Sequence, residues 1–557
     1  MTLLGANGIR KSFGSRLILD GLGFDVCERA RIGIVGANGS GKSTLLRILA
    51  GLEHADAGEV VRRRGTSVSY LDQHPLGDER TPLGRIRAAR PDLEELEREL
   101  AACAERLGSP EIASDLKRMA SVLRRQEELL ERFETAGGPG FEGRARATLQ
   151  RLGLDDAAAE LPTSALSGGQ RKLVDLAACL AQSPDVLLLD EPEAHLDSDG
   201  RALIEELVDR FDGAVVAVSH DRYLLDETVS TIASLEGGRI RLWPGNYSAY
   251  ALARELELQR QQVLYTTQQK EIARLEEAIR RFKDWAHRVV DERHIKQARV
   301  KQRQIDRMEK VARPVLERRK IALRLHPHAR GGTRVFELRA VTVAFDDDPV
   351  LLETDLTVLH GERVGIVGGN GAGKSVLLKT LVGELEPTGG ELWIGPSIRI
   401  GYLAQDQETL NPELSPLETV RSARPCTEGE AVSMLMKFLF GYEQVRRPTS
   451  SLSGGERTRL QLLLLMLGGA NLLVLDEPTN HLDIDSIEVL EAQLESFDGT
   501  AVFTSHDRYF LDRIADRIVE VGDGGVHSYE GGYSDWFARR RREDARGRER
   551  QQSKSRS

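Results

Sequence analysis

Two stretches of this 557-residue chain set a lysine and a serine behind a run of glycines: GANGSGKS at 36–43 and GGNGAGKS at 368–375. A loop of this kind turns backbone N–H groups inward onto an anion. The lysine adds a point charge, and the serine hydroxyl is an oxygen donor for a divalent cation. The first stretch supplies Gly36, Asn38, Gly39, Gly41, Lys42 and Ser43, with Thr44 next; the second supplies Gly368, Asn370, Gly371, Gly373, Lys374 and Ser375, with Val376 next. The chemistry that fits is a grip on the β- and γ-phosphates of a nucleotide with Mg²⁺. Farther on, VLLLDE (186–191) and LLVLDE (472–477) end apolar runs on paired carboxylates. Asp190 or Asp476 suits the Mg²⁺ shell. Glu191 or Glu477 suits the orienting and deprotonation of an attacking water.

These residues need elements to hold them. RIGIVG before the first loop reads as a buried strand, and STLLRILAGL after Lys42 has apolar residues at helical spacing. Strand, glycine loop and helix are the context a phosphate site requires. The whole arrangement occurs twice. YLDQ (70–73) recurs as YLAQ (402–405), at the same offset of 332 as the glycine loops. LSGGQ (166–170) recurs as LSGGE (452–456), DEPEAHLD (190–197) as DEPTNHLD (476–483), and SHDRYLLD (219–226) as SHDRYFLD (505–512), all at an offset of 286. The chain is therefore two copies of one α/β domain. The fall from 332 to 286 places 46 extra residues of the first copy between Gln73 and Leu166. Expected domains are 1–245, with a helical insertion over about 85–140, then a linker at 246–330, a second domain at 331–536 and a basic tail at 537–557.

Composition is that of a soluble globular protein, 40% hydrophobic and 29% charged. The longest apolar run, Leu462 to Leu475, is broken by Gly468, Gly469 and Asn471, which is too interrupted to span a bilayer. The start of the chain lacks a basic stretch followed by an apolar core, so no secretion signal is expected. Cys27, Cys103, Cys179 and Cys426 lie far apart with no CxxC, which suits a reducing cytoplasm and argues against a zinc or iron–sulfur site.

In their order, these landmarks resemble the ATP-binding cassette (ABC) nucleotide-binding domain, twice over. The resemblance implies two P-loop domains in tandem, an ATPase activity, and ATP held between the copies. Lys42 and Glu191 would face Ser453, Gly454 and Gly455; Lys374 and Glu477 would face Ser167, Gly168 and Gly169. Two glycines at a helix start expose amide donors to an anion, so the physics fits. The resemblance also makes His220 and His506 the histidines that contact the γ-phosphate. Gln73 and Gln405 join the Mg²⁺ site. Phe13 and Phe345 either stack on adenine or serve as plain core aromatics.

From 251 to about 320 the chain has scarcely a glycine or proline before Pro314. Residues 251–282 read as one long helix with heptad-like spacing, 294–320 as a second, and together as a projecting antiparallel hairpin. The protein is net −10, yet Arg293 to Lys320 holds eleven Lys/Arg against three Asp/Glu. Such a concentration suits phosphate backbones, or is a solvated face of good helix formers.

Tandem cassettes with DEPTNHLD, a basic two-helix linker and no membrane segment resemble the ABC-F family. That implies binding to the ribosome, with the linker reaching toward rRNA and the peptidyl-site tRNA. Lys296, Arg299, Lys301 and Arg303 are then the RNA-binding candidates. It also implies a role in translation or in protecting ribosomes from antibiotics. Because both cassettes lie in one chain, a monomer is expected. The other reading is the motor of a membrane transporter, against which the basic linker speaks. The insertion is either a ribosome-contacting arm or a structural hairpin. The tail is expected to be disordered, and either touches RNA or is merely solvated. Phe282 is expected to pack the two linker helices, while Trp285 either packs or stacks on RNA bases. One departure stands out: Glu193 and Ala194 replace the Thr and Asn of the second copy. The extra carboxylate either raises the proton affinity of Glu191 or points away.

Overall fold

The computed structural model describes all residues except 110–111, 113–114, 155, 290–291, 309–332, 346–347, 405–409, 481, 523 and 543–557; it leaves aside the side chains of 156, 285–289 and 292–295.

Each copy holds two sheets. In the first, a six-stranded sheet runs in the order Val68–Leu71, Val186–Asp190, Ala214–Val218, Arg31–Val35, Thr231–Glu236, Arg239–Pro244. Its first five strands are parallel and the last pairs antiparallel. Parallel strands are covered on both faces and so read as unbroken apolar runs; Val186–Asp190 and Ala214–Val218 are buried at all five positions each. The second copy repeats the order with Ile400–Leu403, Leu472–Leu475, Thr500–Thr504, Arg363–Val367, Arg517–Gly522 and Gly525–Glu530. A three-stranded antiparallel sheet sits beside each, Thr2–Phe13 at the centre of one and Arg334–Phe345 at the centre of the other.

The helix after each glycine loop, Lys42–Ala50 or Lys374–Val382, packs Leu45, Leu46 and Leu49, or Leu377, Leu378 and Leu381, into the core between the two sheets. A second core in each copy gathers the other face of the parallel sheet with the helix that follows the LSGG phrase, Gly168–Ala181 or Gly454–Leu467.

The first copy's extra residues include two helices, Pro91–Leu107 and Leu116–Thr135, joined by a small core of Leu96, Cys103, Val122 and Leu129. The linker's first helix spans Tyr247–Val289, longer than the sequence pattern outlines, because residues 283–289 continue it rather than turning. The second is described over Glu292–Arg307 and packs back against the first, burying Leu275, Ile279 and Ala298. Lys296, Arg299 and Arg303 are exposed and Lys301 is half-buried. Phe282 is half-buried. The Trp285 side chain, the rest of the second linker helix and most of the tail lie outside the described residues.

Candidate active site

The two copies meet face to face across a cavity of about 1180 Å³. Gly39, Gly41, Lys42, Ser43, Thr44 and Asn38 line it from the first copy, and Asn370, Gly371, Gly373, Lys374, Ser375 and Val376 from the second. Phe13, Gln73, Glu191, His220, Asp476, Glu477 and His506 share it with Ser453, Gly454 and Gly455. Ser167, Gly168, Gly169 and Phe345 do not line it, and Gln405 lies outside the described residues. Phe13 and Phe345 are both exposed, 53% and 47%, which excludes a core role for either.

The glycine loops owe their shape to backbone that other residues resist. Gly41 caps the helix at φ 101°, in the left-handed region. At Gly36 (φ 158°) a Cβ would lie 2.6 Å from the Leu235 carbonyl oxygen. Each lysine folds back on its loop: Lys42 Nζ donates to the carbonyls of Gly36 (2.7 Å) and Ala37 (3.2 Å), and Lys374 Nζ to those of Gly368 (2.8 Å) and Gly369 (3.0 Å). Ser43 Oγ donates to Asp190 Oδ1 at 3.1 Å, and the Tyr70 hydroxyl to Asp190 Oδ2 at 3.0 Å. In the second copy Thr504 Oγ1 donates to Asp476 Oδ1 at 2.8 Å.

Both strand-end glutamates sit in the left-handed region, Glu191 at φ 45° and Glu477 at φ 48°. That conformation is costly for a residue with a Cβ and is concentrated at functional sites. Gln73 Nε2 donates to Glu191 Oε2 at 2.8 Å. Burial raises the Glu191 carboxyl above its usual range and pushes Glu477 up to about 7. His220 Nε2 is 3.8 Å from Glu191 Oε1, and His506 Nε2 is 3.4 Å from Glu477 Oε1. Burial, aided by the nearby lysine, pushes both imidazoles down to about 3, so both are neutral. Neither ring nitrogen of His220 has a hydrogen-bond partner among the described residues, although both are buried. An unpaired buried imidazole costs on the order of 1–3 kcal/mol, so it is expected where a ligand completes it.

The LSGG phrases are helix caps. Ser167 Oγ accepts from Gln170 N–H (3.2 Å) while Gln170 Oε1 accepts from Ser167 N–H (3.0 Å); Ser453 and Glu456 make the same box. Ser-Gly-Gly-Gln and Ser-Gly-Gly-Glu fit the S-x-x-E/Q pattern, so this was legible from the letters. Contacts also cross between copies: Asn38 N–H donates to Asp483 Oδ2 at 2.9 Å and Asn370 N–H to Asp197 Oδ2 at 3.5 Å.

Glu193 neither bonds to Glu191 nor sits idle. Its Oε1 accepts from Ser219 Oγ (2.7 Å), His220 N–H (2.8 Å) and Asp221 N–H (3.2 Å). Burial, with Asp221 and Glu191 nearby, pushes it up to about 7. Sequence reasoning missed its neighbour Lys172, which is fully buried. Its Nζ donates to the carbonyls of Asp72 (2.8 Å), Gln73 (3.0 Å) and Asp190 (3.1 Å). At the offset of 286 its counterpart is Thr458, as Thr479 is that of Glu193. The first copy thus exchanges two threonines for a lysine and a glutamate, a signal present in the alignment of the copies.

A family described as ABC transporter matches residues 19–194 and 351–480, and a second family of the same description matches 233–325. The chain is 33% identical to the energy-dependent translational throttle protein EttA of Haemophilus influenzae, covering 94% of this chain and 92% of that protein. It is 31% identical to ABC transporter F family member 5 of Arabidopsis thaliana, over 94% of this chain and 76% of that one. Among solved structures, the archaeal ribosome recycling factor aABCE1, in complex with ribosomal stalk protein aP1, shares the fold at a TM-score of 0.57 and 20% identity, covering 95% of this chain and 92% of that one. ABC cassettes of this kind bind and hydrolyse ATP, and among the described residues no helix is long and apolar enough to cross a membrane. Two complete cassettes, facing glycine loops and paired strand-end glutamates place this chain in the ABC-F family of tandem ABC ATPases.

Proposed function

We propose that ATP closes the two cassettes around two nucleotides and that the closed state drives the linker hairpin into the ribosome, at rRNA and the peptidyl-site tRNA. The observation that carries this reading is the root of the hairpin. Tyr247 and Tyr250 are buried in one cluster with Val229 and Ile232 of the first cassette and Ile484 of the second. Arg254 bridges Glu236 of the first cassette (3.1 Å) and Asp485 of the second (3.1 Å). Ile484 and Asp485 directly follow Asp483, whose carboxylate meets the Asn38 amide of the first glycine loop. Closure at the nucleotide therefore moves the residues that seat the hairpin.

In each site the glycine-loop amides and Lys42 or Lys374 would hold the phosphates. The LSGG amides of the opposite copy would cover the γ-phosphate, and Phe13 and Phe345 would lie on adenine. Glu191 and Glu477 would accept the proton of the attacking water, and His220 and His506, neutral, would hydrogen-bond the γ-phosphate. Ser43 with Asp190, and Ser375 with Asp476, would hold Mg²⁺, assisted by Gln73 and Gln405. The donors fit a hard cation: in the first site a hydroxyl and a carboxylate are already in contact at 3.1 Å, and no group of three His, Cys, Asp or Glu is found among the described residues. Mg²⁺ prefers few protein oxygens and completes its shell with phosphate and water. When bound, it neutralises the charge of the phosphates.

Three features support the ribosome over a membrane transporter as partner: the exposed Lys296, Arg299 and Arg303 on the hairpin, the chain-wide match to EttA, and the translational role printed in that protein's name. The reading takes the protein as a cytoplasmic monomer whose cassettes pair within one chain. The test is sedimentation with ribosomes of the double variant Glu191→Gln/Glu477→Gln. It should co-sediment in ATP, release in ADP, and inhibit translation. A variant that hydrolyses nothing yet stays in the supernatant with ATP would end the ribosome reading.

A further inference from the structure

The SHDRY phrases contain more than a histidine. Arg222 of the first copy is 1% exposed and reaches into the second: its Nη2 donates to Glu491 Oε1 (2.6 Å) and Asp507 Oδ2 (3.1 Å). Arg508 of the second copy makes the reverse journey, pairing with Glu205 and lying 3.8 Å from Asp221 Oδ2. Arg508, Glu491 and Asp507 are the counterparts of Arg222, Glu205 and Asp221 at the offset of 286. The contact is thus reciprocal, as across a two-fold axis. Each guanidinium also stacks on the other copy's tyrosine, Arg222 over Tyr509 (4.1 Å) and Arg508 over Tyr223 (5.0 Å).

The aspartates make this more than a clamp. Asp221 follows His220, and Asp507 follows His506. Each uses one oxygen to cap the helix that starts there: Asp221 Oδ1 accepts from Tyr223 N–H (2.9 Å) and Leu224 N–H (3.1 Å), and Asp507 Oδ1 accepts from Phe510 N–H (3.0 Å). The other oxygen faces the arginine from the opposite copy: Asp507 Oδ2 accepts from Arg222 at 3.1 Å, whereas Asp221 Oδ2 accepts from Arg201 of its own copy at 2.9 Å and has Arg508 at 3.8 Å. An arginine of one cassette therefore bears on the carboxylate that sets the backbone beside the other cassette's histidine. A planar fork fixes direction as well as distance, which a lysine could not do.

We infer that Arg222 and Arg508 are crossed positioning residues: Arg222 aligns His506 through Asp507, and Arg508, together with Arg201, aligns His220 through Asp221, so each ATP site is tuned by an arginine from the other copy's SHDRY phrase. The inference rests on the assignment of the two sites above, and the test separates the two.

The test compares first-turnover ATP hydrolysis rates in two backgrounds, Glu191→Gln, leaving the second site active, and Glu477→Gln, leaving the first. Scoring the first turnover counts a site before coupling to its neighbour limits it. In the Glu191→Gln background, Arg222→Lys should slow hydrolysis about tenfold and Arg508→Lys less than twofold. In the Glu477→Gln background the order should reverse, with a smaller slowing by Arg508→Lys because Arg201 also holds Asp221. Lysine keeps the buried positive charge, so folding is guarded, and thermal melts of both variants check it. If Arg222→Lys melts early, the pair Arg222→Gln/Glu491→Gln removes the buried charge together with one of its two carboxylate partners and should show the same crossed pattern. Equal slowing by both arginine variants in each background, or none, overturns the crossed assignment. Backgrounds that themselves lose no turnover would instead overturn the site assignment.

Discussion

The backbone N–H of His220 donates to Glu193 at 2.8 Å, whereas its counterpart His506 donates to the strand-end glutamate Glu477 at 3.2 Å. One substitution separates them. Thr479 stands where Glu193 stands, and its hydroxyl meets Ser505 Oγ at 2.8 Å, leaving the His506 amide to Glu477. In the first copy the added carboxylate takes the amides of His220 and Asp221, and Gln73 holds Glu191 instead. The two sites share their parts but differ in what fixes the histidine.

Unequal turnover is therefore expected. Glu477→Gln alone should remove most of the steady-state ATPase activity, and Glu191→Gln alone should remove less. The triple change Glu193→Thr, Ala194→Asn and Lys172→Thr should speed the first site, because it restores the second copy's pattern without stranding the Lys172 charge. A difference of 1.4 kcal/mol in transition-state stabilisation is about tenfold in rate, so a steady-state assay resolves it. Equal losses from the two glutamine variants, with no gain on restoration, would make Glu193 neutral.

Glu477 must be ionised to accept a proton, and burial pushes its carboxyl up to about 7. In the Glu191→Gln background, kcat/KM for ATP should rise with pH through about 7 and fall about tenfold per unit below it. The profile of kcat/KM reports the free enzyme. With His506 held near 3, no histidine limb should appear near 6.5. A flat profile down to pH 5 would contradict the assignment of Glu477 as base.

Glu193 carries its own pH signature, in stability. Its carboxyl rises from 4.5 to about 7 on folding, so the folded state holds the proton more tightly. The contribution is full below about 4.5 and is lost as pH rises through 7, a change of about 3 kcal/mol. Glu193→Gln imitates the protonated form and does not titrate. Its melting temperature should exceed that of wild type by a margin that grows from pH 5 to pH 8. A constant margin would mean that Glu193 folds ionised.

Much of this site was readable as letters, and the limit was distance along the chain. Glycine loops, paired carboxylates and SHDRY histidines are short-range patterns with a fixed chemistry, and the offsets of 332 and 286 aligned them. The left-handed conformation of Glu191 and Glu477 is not a property of glutamate and had no sequence signal. Arg222 meets Glu491 across 269 residues, and Arg254 meets Asp485 across 231. Only the packing of two folded copies brings such pairs together. The first linker helix runs past the 251–282 outlined from the sequence, because nothing in 283–289 opposes a helix.

Ribosome binding should depend on salt through the hairpin. Replacing Lys296, Arg299, Lys301 and Arg303 with glutamine should weaken binding while ATP hydrolysis without ribosomes is unchanged. Each phosphate contact contributes roughly 0.7–0.9 to the slope of log affinity against log salt, so four should lower it by about 3. Binding that ignores both salt and these substitutions would leave the hairpin a spacer.

The contact of Asp483 with Asn38 should matter more than that of Asp197 with Asn370. Both aspartates divide their oxygens in the same way. Asp483 Oδ1 caps its own helix at Ser486 N–H (2.9 Å), and Asp197 Oδ1 does so at Gly200 N–H (3.0 Å). The second oxygen crosses to the opposite glycine loop, at 2.9 Å for Asp483 but 3.5 Å for Asp197, the edge of hydrogen-bond range. A serine in either place keeps the cap and cannot reach across, so Asp→Ser isolates the crossing bond from the helix. A charge-assisted bond of this kind is worth about 1.5–3 kcal/mol. Asp483→Ser should therefore raise the KM for ATP at the first site about tenfold or more, and Asp197→Ser should change the second site less. Because Ile484 and Asp485 seat the hairpin root, Asp483→Ser should also loosen ATP-dependent ribosome sedimentation, whereas Asp197→Ser should leave it nearly intact. Equal effects of the two variants on both readings would show that the sites close alike and that the hairpin does not sense the first one.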